Sequence, residues 1–587
     1  VLLDIVVGGA VALFKRFEKR KRGKETGALV KLRQRGFRTV LPSIHLENLR
    51  SLPNKMDELL LLSRTNKDFS NSAALCFTES WLNDAIPDSA LPAVQSGSDH
   101  RISGEMAWRW DMLLHQRKQT PLYPPPALRI SEDDVRQIFL KQKKRKAPGP
   151  DGVTPACLRT CADQLTFIFS QIFNRSLELC EVPACFKRST IIPIPKKPKI
   201  TGLNDYRPVA LTSVVMKSFE RLVLAYLKNI TGPLLHPLQF AYRANRSVDD
   251  AVNMGLHFIL QHLDKSGTYV RLLFVDFSLA FNTIIPTLLQ TKLTQLSVPS
   301  SICQWITSFL TDRHQLVKLG KLKSNSRTTS TGAPQGCVLS PLLFSLYTND
   351  CTSTDPSVKL LKFADDTTVI GLIQDGDESA YRQEIEQLAA WCSCNNLELN
   401  TLKTGEMIVD FRRYTPALPP LTIMNSTVPT VESFRFLGTT ISQDLKWDTH
   451  IDATIKKAQQ RLYFLRQLRK FNLPQELLIH FYSAVTESVL CTSITVWFGS
   501  ATKSDMRRLQ RTVRTAERII GAPLPTLQEL YTSRVRKRAL KITLDPSHPG
   551  HLLFDLLPSG RRYRAATTRT ARHKNSFFPQ AVYLLNS

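Results

Sequence analysis

Two adjacent aspartates at a predicted strand reversal constrain this chain more than any other feature of it. The apolar run 358–363 is followed by Ala364, Asp365 and Asp366, and a second apolar run covers 367–373. Side chains alternate between two faces along a strand, so buried neighbours would hold such a turn rigidly while the acids project from its end. Two carboxylates this close repel each other, and a bound cation relieves the repulsion. Asp-Asp pairs also occur in solvated turns, so the pair alone does not establish a metal site.

A third carboxylate, Asp276, stands in the middle of an apolar, β-rich run upstream, residues 271–281. A lone aspartate in such a run costs stability unless it is paired or bound to metal. The alternative is a strand-end aspartate that caps a following helix. Together with Asp365 and Asp366 the metal interpretation is favoured. Asp276 and Asp365 could bracket two Mg²⁺ ions roughly 4 Å apart, one activating a 3′-hydroxyl and one holding a triphosphate, with Asp366 as a further candidate ligand.

Eight sequence blocks extend this pattern along the chain. They are 146–152 (KAPGPDG), 205–213 (DYRPVALTS) with Lys217 and Glu220, 239–243 (QFAYR) with 245–247, the Asp276 strand, 333–341 (APQGCVLSP), 363–368 (FADDTT), 395–400 (NNLELN) with Lys403, and 436–438 (FLG). In this order they resemble the reverse transcriptase of LINE-type (non-LTR) retrotransposons, and the resemblance runs through most of the chain.

The resemblance implies an α+β right-hand polymerase with fingers, a palm built on an antiparallel sheet, and a helical thumb. The implied activity is extension of a DNA primer on an RNA template from deoxynucleoside triphosphates, with two Mg²⁺ ions as cofactors. Asp276, Asp365 and Asp366 would be the catalytic metal ligands. Lys403 lies near the position from which a family lysine can protonate the leaving pyrophosphate, although a solvated surface lysine is an equal alternative.

Phe281 and a Pro-Gln-Gly turn are the candidates for nucleotide binding. Phe281 follows Asp276 by five residues, where similar polymerases carry a ring that would collide with a ribose 2′-hydroxyl. Its alternative is an ordinary core residue. Gln335 and Gly336 form a turn whose missing Cβ permits close approach to the nascent base pair. Many relatives have Asp where this chain has Asn282, a position outside the inferred metal ligands.

Basic residues favour a polyanionic partner. The formal net charge is +28, with clusters at 15–24, 141–146 and 534–564. Such a charge suits a protein that follows phosphate backbones, although single runs could be solvated faces or nuclear-import signals. Lys196, Lys197 and Arg207 fall in the segment that resembles the fingers, where cations would meet the triphosphate or template phosphates.

Cysteine and histidine usage indicates an intracellular protein. The eleven cysteines form no C-x-x-C pair, which argues against a disulfide framework or a zinc knuckle. His548 and His551 lack cysteine partners at ligand spacing and are predicted to be loop residues. The apolar stretch 1–14 is too short to span a bilayer, so no membrane association is expected. A reducing location in nucleus and cytoplasm follows.

The N-terminal hundred residues carry a second, partial resemblance. Segments 48–55 and 75–81 look like the opening of the apurinic-type endonuclease of LINE-type elements, which implies a metal-site role for Asn48 and Glu79. Its later parts are not recognisable, and Ser-Asp-His at 98–100 is too short a match to decide the matter. Residues 1–100 are therefore predicted to be a truncated endonuclease-like remnant.

The remaining boundaries follow from composition and periodicity. A linker is predicted at 101–130, fingers and palm at 131–445 with Ser131 as an N-cap, a helical thumb at 446–520, and a basic C-terminal tail at 521–587. The tail has no assigned chemistry.

Two rival functions remain to be weighed. An RNA-templated RNA polymerase is disfavoured by Ala364, where those enzymes usually carry Gly, and by Phe281. A catalytically silent, truncated copy that only binds nucleic acid is the other alternative, and the intact acids argue against decay.

Overall fold

The computed structural model describes residues 127–587 apart from 279, 402, 415 and 416, together with the backbone of two short parallel strands near the N-terminus. Asn48, Glu79 and the 98–100 segment lie outside these residues, as does most of the predicted linker. The endonuclease resemblance therefore remains a prediction.

Helices and strands alternate irregularly, which gives the mixed helix-and-sheet architecture that was predicted. The strands are β1 Ser43–Glu47, β2 Ser72–Phe77, β3 Ser189–Pro195, β4 Tyr206–Thr212, β5 Thr268–Val275, β6 Phe277–Ser278, β7 Arg313–Leu319, β8 Leu322–Lys323, β9 Arg327–Thr329, β10 Val358–Phe363, β11 Asp366–Gln374, β12 Glu398–Leu399, β13 Gly405–Asp410, β14 Thr422–Ile423, β15 Ser426–Thr427, β16 Ser433–Phe436 and β17 Thr439–Ser442.

Among the described residues, the first helix begins at Glu132 and the last ends at Asn586. They are α1 Glu132–Leu140, α2 Pro155–Thr160, α3 Ala162–Glu178, α4 Val214–Thr231, α5 Val248–Leu263, α6 Pro286–Gln295, α7 Ser300–Leu310, α8 Ser340–Tyr347, α9 Ser379–Cys394, α10 Asp448–Lys470, α11 Gln475–Phe481, α12 Ser488–Leu490, α13 Ile494–Trp497, α14 Lys503–Ile520, α15 Leu527–Thr543, α16 Ala571–Lys574 and α17 Phe577–Asn586. A π-helical stretch, Tyr482–Glu487, joins α11 to α12.

A four-stranded antiparallel sheet with the order β10-β11-β5-β13, here called the central sheet, organises the molecule. Its strand β5 is buried along its whole length because both faces of the sheet are covered. Tyr269 and Leu273 point into one hydrophobic cluster, whereas Val270 and Leu272 point into another. This alternation follows from the two-residue period of a strand. The central sheet is thus fixed from both sides, which keeps its ends in place.

A second sheet with the order β4-β3-β7-β8, here called the flanking sheet, lies beside it. Strand β3 pairs antiparallel with β4 and parallel with β7, and β9 also pairs with β7. The backbone N–H of Ala210 on β4 donates to the carbonyl oxygen of Gln335 at 2.6 Å. This bond connects the flanking sheet to the Pro-Gln-Gly turn.

A capping box explains where helix α1 begins. Ser131 is the N-cap of α1, as predicted: its Oγ accepts from the backbone N–H of Asp134, whose carboxylate accepts from the N–H of Ser131. This reciprocal pair satisfies two of the helix's unpaired N-terminal donors.

The segment 521–587 is helical and packed, although the sequence suggested only a basic tail. Helices α15 and α17 contribute Val535, Ala539 and Phe578 to the same hydrophobic cluster as one face of the central sheet. Arg538 forms an ion pair with Asp250, which is fully buried on α5, and the buried ring of His548 lies 3.7 Å from the same carboxylate. The C-terminal region is therefore part of the core that supports the central sheet.

In the portion that the structure describes, no single helix is long and apolar enough to cross a bilayer, and one bent pair, Gln475–Leu490 with Ile494–Ser500, meets that test only jointly.

Candidate active site

The Asp365-Asp366 pair lies at the tip of the hairpin between β10 and β11, as the sequence predicted. Phe363 pairs with Asp366, which leaves Ala364 and Asp365 as a two-residue turn. Ala364 has a φ of 58°, in the left-handed region that two-residue hairpin turns require. The turn directs two carboxylates beyond the end of a buried sheet.

Asp276 joins them because the neighbouring strand ends at the same edge of the sheet. Val275, the last residue of β5, pairs with Thr367 of β11, so the next position along this register sets Asp276 beside Asp366. The three acids that the sequence singled out are therefore brought together by strand pairing.

The three carboxylates influence one another electrostatically. Partial burial, together with the charges of Asp365 and Asp276, raises the pKa of Asp366 to about 6. Burial and the charge of Asp276 also raise the pKa of Asp365, and the cation of Arg207 partly offsets this. Negative charge is thus concentrated here beyond what the surrounding protein neutralises.

Asp276 has two partners from the segment that follows α9. The side-chain amide of Asn400 donates to Asp276 Oδ2 at 3.2 Å, and Lys403 Nζ lies 3.4 Å from the same oxygen. The Lys403 side chain is 67% exposed, so its ammonium group can also reach a ligand. Lys403 was predicted to be a site residue. Asn400 was not, although it stands in one of the resembling blocks.

The donor chemistry of the three aspartates fits a divalent cation. Carboxylate oxygens are the ligands that Mg²⁺ prefers, and the raised pKa values show an excess of negative charge that such an ion would offset. In this conformation, no three acidic, histidine or cysteine side chains among the described residues converge closely enough to enclose an ion.

Phe281 follows Asp276 by five residues and lies in a short 3₁₀ turn, Ala280–Asn282. Its ring is partly buried and packs on Phe344 with a centroid distance of 4.9 Å. Its carbonyl oxygen accepts from the N–H of Ala333 at 2.7 Å, at the start of the APQG block. The ring therefore packs against Phe344 on one side. This position is consistent with a residue that excludes the ribose 2′-hydroxyl and also with an ordinary core residue.

Gly336 occupies a position that only glycine fits. Its φ is 113°, and a Cβ there would lie 2.7 Å from the carbonyl oxygen of Ala210. Any other side chain would push the turn away from the flanking sheet. Gln335, whose carbonyl is bound by Ala210, is only partly buried.

The three predicted cations separate into two groups. Arg207 on β4 is close enough to lower the pKa of Asp365 and so belongs to the acidic site. Lys197 instead lies 2.8 Å from Asp205 and stabilises the loop between β3 and β4. The backbone N–H of Lys196 donates to the carbonyl of Asp205 in the same loop.

Two further polar residues take part in this region, one near the acids and one at the 333–341 block. Tyr242 lies near them, since burial and the charges of Asp365 and Asp366 raise the pKa of its hydroxyl. Glu220 is fully buried and accepts from the N–H groups of Val338 and Leu339, immediately before α8. Both stand in resembling blocks, which was the only signal that could have found them.

Comparison with known proteins agrees with this geometry. Residues 194–441 match the reverse transcriptase (RNA-dependent DNA polymerase) family. This range contains every polymerase site residue that was predicted. Residues 447–488 also match a short family described as alkylated DNA repair protein alkB homolog 8, N-terminal.

Two of the curated relatives are proteins of mobile elements of Drosophila melanogaster. The chain is 28% identical over 408 residues to the probable RNA-directed DNA polymerase from transposon BS, covering 67% of this chain and 45% of that protein. It is 25% identical over 416 residues to the RNA-directed DNA polymerase from mobile element jockey, covering 68% and 44% respectively. The chain thus spans less than half the length of these relatives. The predicted similarity to non-LTR reverse transcriptases is confirmed.

Solved structures are more distant. The apo telomerase from Candida tropicalis aligns over 66% of this chain and 71% of its own, with 12% identity and a TM-score of 0.34.

Proposed function

We propose that this chain is the RNA-directed DNA polymerase of a LINE-type retrotransposon, which extends a DNA 3′-end on an RNA template. The observation that supports this most is the placement of Asp276, Asp365 and Asp366 at the same end of the central sheet, within the range that matches reverse transcriptases. Its substrates would be deoxynucleoside triphosphates, and its partners the RNA template and a DNA primer or target.

The three aspartates would hold two Mg²⁺ ions. When bound, these ions would supply activation of the primer 3′-hydroxyl and neutralisation of charge on the triphosphate. The protein's own contribution is positional: buried strands fix the carboxylates, so little reorganisation is needed as charge develops. Arg207, which already lies near Asp365, would contact the triphosphate.

Lys403 would donate a proton to the leaving pyrophosphate. Its ammonium group contacts Asp276 yet is mostly exposed, so it can turn toward a leaving group without crossing the core. Asn400 would keep the Asp276 carboxylate oriented while the lysine moves, because its side chain donates to the same oxygen.

Phe281 and the Pro-Gln-Gly turn would select the nucleotide. The Phe281 ring, braced by Phe344, would exclude a ribose 2′-hydroxyl. The close contact of Gly336 with Ala210 would bring a flat stretch of backbone against the nascent base pair. Lys196 and Lys197 would act farther out, on template phosphates.

In this proposal the flanking sheet belongs to the fingers, the central sheet to the palm, and the helices from Asp448 onward to the thumb. One basic cluster supports the last assignment. Burial and the neighbouring charges of Arg435 and Arg461 lower the pKa of Lys457 on α10, so three cations crowd together where α10 adjoins the β16–β17 hairpin. Like charges held this close favour a phosphate backbone as partner.

A primer-extension assay with matched variants tests the polymerase proposal. We expect the wild-type protein to extend a DNA primer on RNA in Mg²⁺, and Asp276→Asn or Asp365→Asn to lower turnover by several orders of magnitude with template binding retained. Asp375→Asn is the control, because Asp375 follows the opposite end of β11 and is exposed. Extension by either active-site variant at near the control rate would contradict the metal assignment. Binding of RNA without extension by the wild type would favour the silent-copy alternative.

The N-terminal part would not act as a nuclease. Phosphodiester hydrolysis needs an activated water and a complete ligand set, and the resemblance offers only Asn48 and Glu79. We expect no nicking of supercoiled plasmid in Mg²⁺, and unchanged primer extension after deletion of residues 1–100. Nicked circles that disappear in Glu79→Ala would overturn this expectation.

A further inference from the structure

The hairpin formed by residues 317–323 of β7 and β8, here called the basic hairpin, extends from the flanking sheet with every residue exposed. Gly320 has a φ of 59° and supplies the left-handed residue of its turn. Apart from the hydrogen bonds at its base, the hairpin is covered by no other described part of the chain.

Pairing register gives the basic hairpin two chemically different faces. Leu319 lies opposite Leu322, and the side chain of Val317 shares their face because strand residues alternate. Leu319, Leu322 and Val317 are 60%, 75% and 43% exposed, respectively. A contiguous apolar strip on a projecting element is typical of a contact surface.

The other face is cationic. Lys318 lies directly opposite Lys323, and Lys321 occupies the turn. Like charges in directly opposed positions destabilise a hairpin. No carboxylate occurs between Arg313 and Ser330. An anionic partner would remove the repulsion that this register creates.

The root of the basic hairpin is connected to the proposed nucleotide site. Strand β7 pairs with β3, which in turn pairs with β4, the strand that carries Arg207. On the other side, β9 leads within a few residues to Gln335, whose carbonyl is bound by Ala210. The hairpin therefore projects from the framework that would hold the templating base.

We propose that the basic hairpin separates duplex ahead of the growing 3′-end, with its leucine face stacked on the terminal base pair and its lysines bound to the phosphates of the template strand. This rests on the proposed polymerase function. An apolar face and a cationic face back to back suit that junction, which presents a base-pair surface beside two phosphate backbones. The hairpin would thus allow synthesis through paired RNA.

Strand-displacement extension tests the proposal. One arm uses an unpaired RNA template, and the other uses the same template with a DNA oligonucleotide annealed downstream. Leu319→Ser/Leu322→Ser should slow synthesis through the duplex by about tenfold, the factor that one base-pair step of stacking is worth. Extension on the unpaired template should stay within about twofold, since exposed side chains contribute little to stability.

Two comparisons keep this result specific. Leu544→Ser/Leu552→Ser changes two leucines that are 81% and 85% exposed on the C-terminal region and should affect neither arm. Lys318→Gln/Lys323→Gln should slow the duplex arm and make it less dependent on salt. In a second measurement, made without nucleotides, 2-aminopurine is placed at the duplex junction. Its fluorescence should increase when the wild-type protein binds and should stay low with the leucine variant.

The outcomes distinguish failure of the hairpin proposal from failure of the polymerase function on which it rests. A leucine variant that slows both arms equally, or neither, overturns the strand-separating role while leaving the polymerase intact. Absence of wild-type extension on the unpaired template overturns the polymerase function, and the hairpin proposal with it.

Discussion

Gln239 holds the backbone of Ala364: its side-chain Oε1 accepts from the Ala364 N–H at 3.2 Å, across 125 positions of sequence. The same oxygen accepts from the N–H of Ala241 at 3.1 Å, and the Gln239 side chain is almost completely buried. Gln239, in the QFAYR block, therefore stabilises the left-handed turn that presents Asp365.

Replacing Gln239 with Met should impair turnover more than binding. The change keeps side-chain volume but removes the acceptor, so the turn can shift, and a displacement of about 1 Å can cost about a hundredfold in rate. We expect kcat to fall with little change in the KM for nucleotide. Gln142→Met is the control, because Gln142 is also buried and hydrogen-bonded but its side chain contacts Ser218 of α4 and not the acidic turn. Equal loss of kcat in both variants would mean that Gln239 acts only through stability.

Asp366 should make the metal-free protein less stable as pH rises. The pKa of Asp366 in the folded protein is about 6, whereas its ordinary value is 3.8. Between these two pH values the native state therefore keeps a proton that the unfolded state has released. Stability is then lost as pH rises from about 4 to about 6 and stays lower above that range. Asp366→Asn should raise the melting temperature at about pH 8 and change it little at about pH 4. Mg²⁺ should stabilise the wild type more above about pH 6 than below it. Equal melting shifts at both pH values would argue against this coupling.

Phe281→Val should relax sugar selection. Shortening the ring opens space beside the sugar, so the ratio of ribonucleotide to deoxynucleotide incorporation should rise while deoxynucleotide use is largely retained. Phe281→Tyr keeps the ring on Phe344 and should keep the discrimination. If the ratio in the Val variant equals that of the wild type, Phe281 is a core residue and not a gate.

Arg538 should matter for folding and not for nucleic-acid binding. It pairs with the buried Asp250, so Arg538→Gln should destabilise the protein by about 3 to 5 kcal/mol, measured by urea unfolding. Its neighbours are similarly engaged: Arg534 donates to the carbonyl of Cys491 and Arg536 to that of Leu584. Arg534, Arg536 and Arg538 are thus engaged in contacts within the protein, which the composition of the basic run alone did not reveal.

An exposed arginine stripe on α14 is the contrasting case. Arg507, Arg511, Arg514 and Arg518 recur at helical spacing opposite the buried face that contains Leu509. Changing the four to Gln should leave unfolding unaltered and flatten the salt dependence of template binding, by about 0.9 in slope for each phosphate that the variant no longer neutralises. An unchanged slope would exclude this stripe from the nucleic-acid interface.

Local patterns predicted the parts of the fold that have local causes. Alternating apolar residues predicted β10 and β11, Ser131 predicted the start of α1, and helical periodicity from Asp448 predicted α10. The contacts of Gln239 with Ala364 and of Asn400 with Asp276 join positions more than a hundred residues apart. Such pairs leave no periodicity in the sequence, so only the resembling blocks marked the segments they come from.

The ion pair between Asp250 and Arg538 also sets an order of events during synthesis. The two residues are separated by 288 positions, and the carboxylate is fully buried once α5 packs. A ribosome adding 5–20 residues per second would need roughly 15 to 60 s to supply the arginine after the aspartate has emerged. Throughout that interval α5 carries a charge that it cannot bury. A messenger with a stop codon before position 538 would therefore yield a chain with every residue of the acidic site. That chain would lack the arginine that neutralises Asp250, the aspartate buried on α5.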